Sequence, residues 1–145
     1  MTMQLTNEQR EFLQAPHFAV VATIGGDGLP HQTVMWYVLD GDDLVLSTPK
    51  GSLKHKHLLR DSRLSVCVEE GFRYVTLSGI AAVDESDPQV ARALYMQIGA
   101  RYMAGMSTAG RPDPSQLDPK AAELLNRDRV TLRLKIDHVH SNGFG

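Results

Sequence analysis

Between Pro30 and Arg60 the chain spells out two strands, a corner and a basic helix in direct succession. Pro30–Asp40 and Asp43–Thr48 read as β-strands joined by a tight turn at Gly41, where Asp-Gly-Asp favours reversal. Pro49-Lys50-Gly51 then bends the chain, and a short helix carrying Lys54, Lys56 and Arg60 begins near Ser52. A strand that stops at such a corner and feeds a basic helix makes an anion seat. Free backbone N–H groups, the helix dipole and nearby ammonium groups all favour a phosphate there. Lys54 sits in the first turn, where its ammonium can fold back toward an anion, whereas Lys56, two residues along, faces elsewhere. Lys50 stands at the bend, and Ser52 is placed to cap the helix and to offer both its N–H and its hydroxyl.

On charge alone, the run from Lys50 to Arg63 is an ordinary solvated helix face, so the surroundings must decide. A net charge of −2 argues against a nucleic-acid or membrane-surface binder. The 145 residues fit one domain, 1–145, and a domain of that size buries roughly 70% of its unfolded surface. The single cysteine, Cys67, rules out an internal disulfide framework. Flanked by Leu64, Val66 and Val68, it is expected to be an inert, small core residue. No basic start followed by an apolar run is visible at the N-terminus, and no apolar run approaches the ~20 residues that cross a bilayer. The expected location is cytoplasmic, with no membrane partner.

Thr6 and Gln9 fit a capping box for a short first helix that ends before Pro16. Phe18–Ile24 is a buried-strand run, and Gly25-Gly26-Asp27-Gly28 turns it into Pro30, predicting a hairpin. His31–Leu39 is apolar on both faces, as in a barrel wall covered by another layer, which a second subunit can provide. Arg63–Val68 alternates cleanly, and Tyr74–Val83 is a longer strand with a bulge or bend expected at Gly79. Ser86/Asp87 and Pro88 open a helix to about Met103 with Val90, Ala91, Leu94, Tyr95 and Ile98 as its apolar stripe. Residues 105–118 read as a loop, either a substrate entrance or an idle excursion, and Asp118-Pro119 opens a short helix. Val130, Leu132, Leu134 and Ile136 alternate with polar residues in a last strand, followed by a loose tail from Ser141. About six strands with irregularly inserted helices predict a mainly antiparallel β-barrel of α+β class rather than a parallel sheet.

Several chemistries are excluded by spacing. His55 and His57 lie two apart on a helix and cannot share a face, and His138 with His140 lack an evident third ligand, so no metal site is expected. There is no Gly-x-Ser-x-Gly elbow, no P-loop and no Gly-x-Gly-x-x-Gly; the glycine run at Gly25 precedes a strand, not a helix. The phosphate corner survives, and the adjoining strand offers Gln32, Thr33 and Val34 to a heteroaromatic ring.

The order Thr23-Ile24, Gly-Asp-Gly-x-Pro, Trp36-Tyr37, Ser47-Thr48-x-Lys-Gly-x-x-Lys and Leu58-x-Arg60-Asp61-x-Arg63 resembles the pyridoxamine 5'-phosphate oxidase-like split-barrel family, and within it the deazaflavin (F420)-dependent branch. The resemblance implies a six-stranded antiparallel split β-barrel of FMN-binding type, assembled as a homodimer with two cofactor sites at the interface. It places the phosphate at Lys50, Ser52 and Lys54, and the ring beside Gln32, Thr33, Val34, Met35, Ser47 and Thr48. Phe72 and Tyr74 of the partner subunit are expected to close the site. It further implies an oxidoreductase that uses coenzyme F420 for two-electron hydride transfer to an activated double bond of a small organic substrate. The alternatives are an FMN-dependent reductase or oxidase, and a non-catalytic cofactor or tetrapyrrole binder. The C-terminal Trp and Arg-Leu-x-Pro signature of true pyridoxamine-phosphate oxidases is missing, since the last strand runs into His138-Val139-His140-Ser141, so vitamin B6 oxidation is not expected.

Overall fold

A computed structural model describes residues 4–104, 119–120, 123 and 127–144. The expected loop at 105–118 lies outside the described residues, as does most of the helix expected after it. Helix α1 (Asn7–Gln14) is closed by a complete capping box, in which Gln9 N–H donates to Thr6 Oγ1 at 3.1 Å and Thr6 N–H donates to Gln9 Oε1 at 3.0 Å. Strands β1 (Ala19–Ile24) and β2 (Pro30–Met35) form the expected hairpin, in register from Ala19 opposite Met35 to Ile24 opposite Pro30. Gly28 takes φ 84° in its turn, a conformation that a side chain would strain.

The stretch Pro30–Asp40 is not one strand. It divides into β2 and β3 (Val38–Asp40), and β3 pairs with β4 (Asp43–Pro49) through the Gly41 turn. The break falls at Tyr37, whose backbone bonds to side chains instead of to a ladder. Its N–H donates to Tyr102 Oη at 3.2 Å, and its carbonyl accepts from Arg101 Nη1 at 2.7 Å. The buried Tyr37 hydroxyl donates to the Leu13 carbonyl at 2.8 Å.

Beyond β4, helix α2 (Leu53–Arg60) leads to β5 (Arg63–Glu70) and β6 (Arg73–Asp84), then α3 (Pro88–Met103) and β7 (Arg129–Asn142). The seven strands form one antiparallel sheet in the order β2-β1-β5-β6-β7-β4-β3. Its two edge strands are consecutive in the chain, and from Met35 to Val38 an extended backbone reaches only about 10 Å. The sheet must therefore curl until its edges are neighbours, a barrel split along the β2/β3 seam. Leu44 and Leu46 of β4, Leu132 and Leu134 of β7, and Val66 and Leu77 fill it, all fully buried.

A register shift between Ser78 and Gly79 supplies the expected bulge. A Cβ on Gly79 would overlap the Lys135 carbonyl, which is why this close approach takes glycine. Three further expectations are corrected. The tail is not loose: β7 pairs as far as Asn142 opposite Tyr74, and Phe144 meets Phe12 edge-on at 5.3 Å. Cys67 is no core residue, since it is half-buried on the outer face while Leu64, Val66 and Val68 point inward. Val90 stands outside the buried stripe of α3, which consists of Ala91, Ile98 and Tyr102. Among the described residues, no helix is long and apolar enough to cross a membrane.

Candidate functional site

The corner after β4 is built from short-range hydrogen bonds. Gly51 takes φ 79° and donates its N–H to His55 Nδ1 at 2.9 Å. Ser52 N–H donates to the Pro49 carbonyl at 3.0 Å, and Ser52 Oγ accepts from His55 N–H at 3.3 Å as the cap of α2. The same hydroxyl lies 2.9 Å from Thr48 Oγ1. Lys50 N–H donates to the Asp128 carbonyl at 2.8 Å, which ties the bend to the residue preceding β7.

Beside this corner a cavity of about 320 Å³ opens along the seam of the barrel. Val34, Met35 and Trp36 form its wall on the β2 side, and Ser47, Thr48 and Pro49 form its wall on the β4 side. Tyr95, Ile98 and Gly99 contribute from α3, Lys54 from α2 and Arg129 from β7. The volume falls in the range of small-ligand sites, and no carboxylate is among these lining residues.

Both cations are partly withdrawn from water. Burial holds the Lys54 ammonium below the ordinary lysine pKa, and no anionic partner of Lys54 stands among the described residues. Burial likewise lowers Arg129, with Tyr95 opposing, although a guanidinium stays charged at any physiological pH. Arg129 Nε donates to Ser47 Oγ at 2.7 Å and Nη2 to the Ser47 carbonyl at 3.2 Å, while the guanidinium carbon sits 3.8 Å from the centre of the Tyr95 ring. Two partly desolvated positive charges, of which Arg129 is held in place by Ser47 and Tyr95, line an apolar cleft and attract an anion with a flat apolar body.

Of the residues expected from sequence, the structure brings Val34, Met35, Ser47, Thr48 and Lys54 together around the cavity. Ser52 stands one hydrogen bond behind Thr48, its N–H and hydroxyl engaged within the corner. The Lys50 side chain is exposed at the bend. Gln32 is exposed on the outer face opposite Ala22, whereas Thr33 points inward with a buried hydroxyl that has no partner among the described residues. Phe72 is 92% exposed at the β5–β6 turn, and Tyr74 Oη lies 3.2 Å from His140 Nε2; neither lines the cavity of its own chain. Sequence reasoning missed Arg129. Register with β4 puts it opposite Pro49, and that pairing spans too many intervening residues to be read from local pattern.

Residues 5–143 match the family model for pyridoxamine 5'-phosphate oxidase. The chain belongs to that family. No curated protein matches the sequence. Among solved structures, this family member is similar to the conserved hypothetical protein Rv2991 from Mycobacterium tuberculosis, with 28% identity and a TM-score of 0.72 over 97% of this chain and 86% of that one. It is also similar to an F420 reductase, with 19% identity and a TM-score of 0.72 over 94% and 98% of the two chains. A family-related FMN-binding protein from Nostoc punctiforme matches with 20% identity and a TM-score of 0.59 over 86% of this chain and 73% of that one. The last two likenesses speak for the split-barrel fold.

Proposed function

We propose that this protein is an F420-dependent oxidoreductase that carries out two-electron hydride transfer to an activated double bond of a small organic substrate. The observation that carries the reading is the pairing of Lys54 and Arg129 at one apolar, carboxylate-free cavity. That donor set suits a phosphorylated cofactor with a planar ring. The choice of deazaflavin over FMN rests on the order of sequence motifs from Gly28 to Arg63.

The bound cofactor supplies the hydride; the chain supplies binding, orientation and electrostatics. Lys54 would hold the phosphate at the corner, assisted by the Thr48 hydroxyl, which Ser52 backs from behind. Val34, Met35 and Trp36 would bed the ring and keep water from it. Arg129, held by Ser47 against Tyr95, would present a fixed positive charge that favours anionic character on a bound ring without reorganising.

The reading includes a homodimer. Two cross-strand rows on the outer face, Val34-Val20-Cys67-Thr76 and Gln32-Ala22-Ser65-Ser78, carry no charge over four neighbouring strands. Val34, 65% exposed, belongs both to this face and to the cavity rim, so a second copy laid on the face would also cover the site. Phe72 and Tyr74 would then act on the partner's cavity.

Titrating the purified chain with F420 and with FMN, followed by fluorescence, tests the reading. Saturable F420 binding that Lys54→Ala weakens supports it. Binding of FMN alone would make the protein a flavin reductase or oxidase, and binding of haemin alone would make it a storage module.

A further inference from the structure

We propose that His55 is a positioning residue for this site: its neutral imidazole locks the Pro49–Ser52 corner and so presents Lys54 to the cavity. The inference rests on the functional reading just given and adds to it a residue that touches neither the cavity nor any ligand.

His55 occupies the third position of α2 and is only 5% exposed, yet its ring is not spent on core packing. It turns back on the preceding bend, where Nδ1 accepts the Gly51 N–H at 2.9 Å. An imidazole that accepts at Nδ1 in its neutral form carries its proton on Nε2. Nε2 is shielded from solvent and lies 3.3 Å from Glu85 Oε1, within ion-pair distance but without hydrogen-bond alignment. Glu85 belongs to the short connection between β6 and α3, two residues before the Asp87 that caps α3.

One ring therefore locks the bend that precedes Lys54, while its Nε2 edge lies against the connection leading to the helix that carries Tyr95, Ile98 and Gly99 on the opposite wall. The neighbouring N–H groups of the bend have partners of their own, since Ser52 N–H binds the Pro49 carbonyl and Lys50 N–H binds the Asp128 carbonyl. Gly51 N–H has His55 Nδ1 as its acceptor, and its φ of 79° leaves that segment no regular ladder to fall back on. Without the Nδ1 acceptor the bend is free to relax, and the first turn of α2, with Lys54 on it, moves with the bend.

The test compares His55→Leu, which keeps bulk and removes the acceptor, with His55→Asn, whose amide oxygen can stand where Nδ1 does. F420 affinity should fall roughly tenfold in H55L and return to within about threefold of the parent in H55N. Independently of any cofactor, the ammonium of Lys54, followed by NMR after reductive methylation, should titrate nearer to an ordinary lysine in H55L and stay displaced in H55N. H55L matching the parent in both measurements overturns the proposal, as does H55N behaving like H55L. If H55L does not fold, the displaced Lys54 titration in H55N decides alone, and its return to ordinary behaviour is the overturning result. Should the parent protein fail to bind F420 at all, the cofactor reading falls while the Lys54 titration still judges His55.

Discussion

Met35 ends one edge strand of the sheet and Val38 begins the other, although only Trp36 and Tyr37 lie between them. The seam that results is where the cavity opens, so whatever anchors the crossing also shapes the site. Tyr102 is the anchor whose loss should be felt most. Its hydroxyl accepts from Tyr37 N–H and donates to the His17 carbonyl at 2.5 Å, so Tyr102→Phe strands a buried N–H and removes a donor from a carbonyl. Tyr37→Phe is milder, because the Leu13 carbonyl keeps Arg101 Nη2 at 3.1 Å. Urea unfolding should show a loss of roughly 1–3 kcal/mol for Tyr102→Phe and about 1 kcal/mol for Tyr37→Phe.

Gly79→Ala should be among the most damaging small substitutions in the barrel. The added methyl meets the Lys135 backbone, which belongs to a paired strand and cannot rotate aside as a side chain would. A loss of roughly 3 kcal/mol or more in unfolding free energy is expected, against a small effect for Gly99→Ala, where a Cβ meets open space on a helix.

Strand periodicity and turn chemistry carried most of the barrel in the sequence. The alternation of β7, the capping box at Thr6 and the bulge at Gly79 are local patterns, and local patterns survive in one dimension. The break at Tyr37 was not legible, because Val34 to Leu39 has strand-like composition throughout, and what interrupts the ladder is the arrival of Arg101 and Tyr102 from a helix more than sixty residues away. Cys67 misled for a related reason: alternation gives two faces but not which of them a barrel encloses. At the site, the corner residues were readable as neighbours in sequence, whereas Arg129 enters only through its register with Pro49.

Lys54 and Arg129 should separate by phenotype. Lys54→Ala removes a point charge at the corner and is expected to weaken F420 binding by tenfold or more, corresponding to at least about 1.4 kcal/mol. Arg129→Lys keeps the charge but loses the two-pronged hold on Ser47 and the ring contact with Tyr95, so it should lower turnover of bound cofactor more than affinity. Fluorescence titration and steady-state rates on the same preparations check the split. Cofactor affinity should also decline at alkaline pH earlier than an ordinary lysine would dictate, because burial makes the Lys54 ammonium easier to deprotonate.

A charge placed in the uncharged rows of the outer face should dissociate the proposed homodimer. Ala22→Asp puts a carboxylate between Gln32 and Ser65, and Ser78→Asp puts one between Ser65 and His138, in both cases without entering the core. Sedimentation should shift both toward the monomer with thermal unfolding little changed, and F420 affinity should fall in step if the partner covers the cavity.

Acid should destabilise the protein through His57 before it reaches the carboxylates. Burial first, then the charges of His31, Arg60 and Lys54, hold this imidazole below the ordinary value of 6.5, with Asp27 opposing. Its Nδ1 lies 2.8 Å from Thr23 Oγ1, a group that is itself fully buried. Because the folded pKa is the lower one, the unfolded chain takes up a proton at a pH where the folded chain still refuses it. The contribution of this group is therefore constant above about pH 7 and turns unfavourable as pH falls through the window below 6.5, with a slope of at most about 1.4 kcal/mol per pH unit. Asp61, drawn down to about 2 mainly by its hydrogen bonds from Arg63, responds only in a more acidic range and does not blur the signal. Urea unfolding between pH 8 and pH 5 should show this loss in the parent and a flatter profile in His57→Asn, and equal slopes for the two proteins would show that His57 is not the sensor.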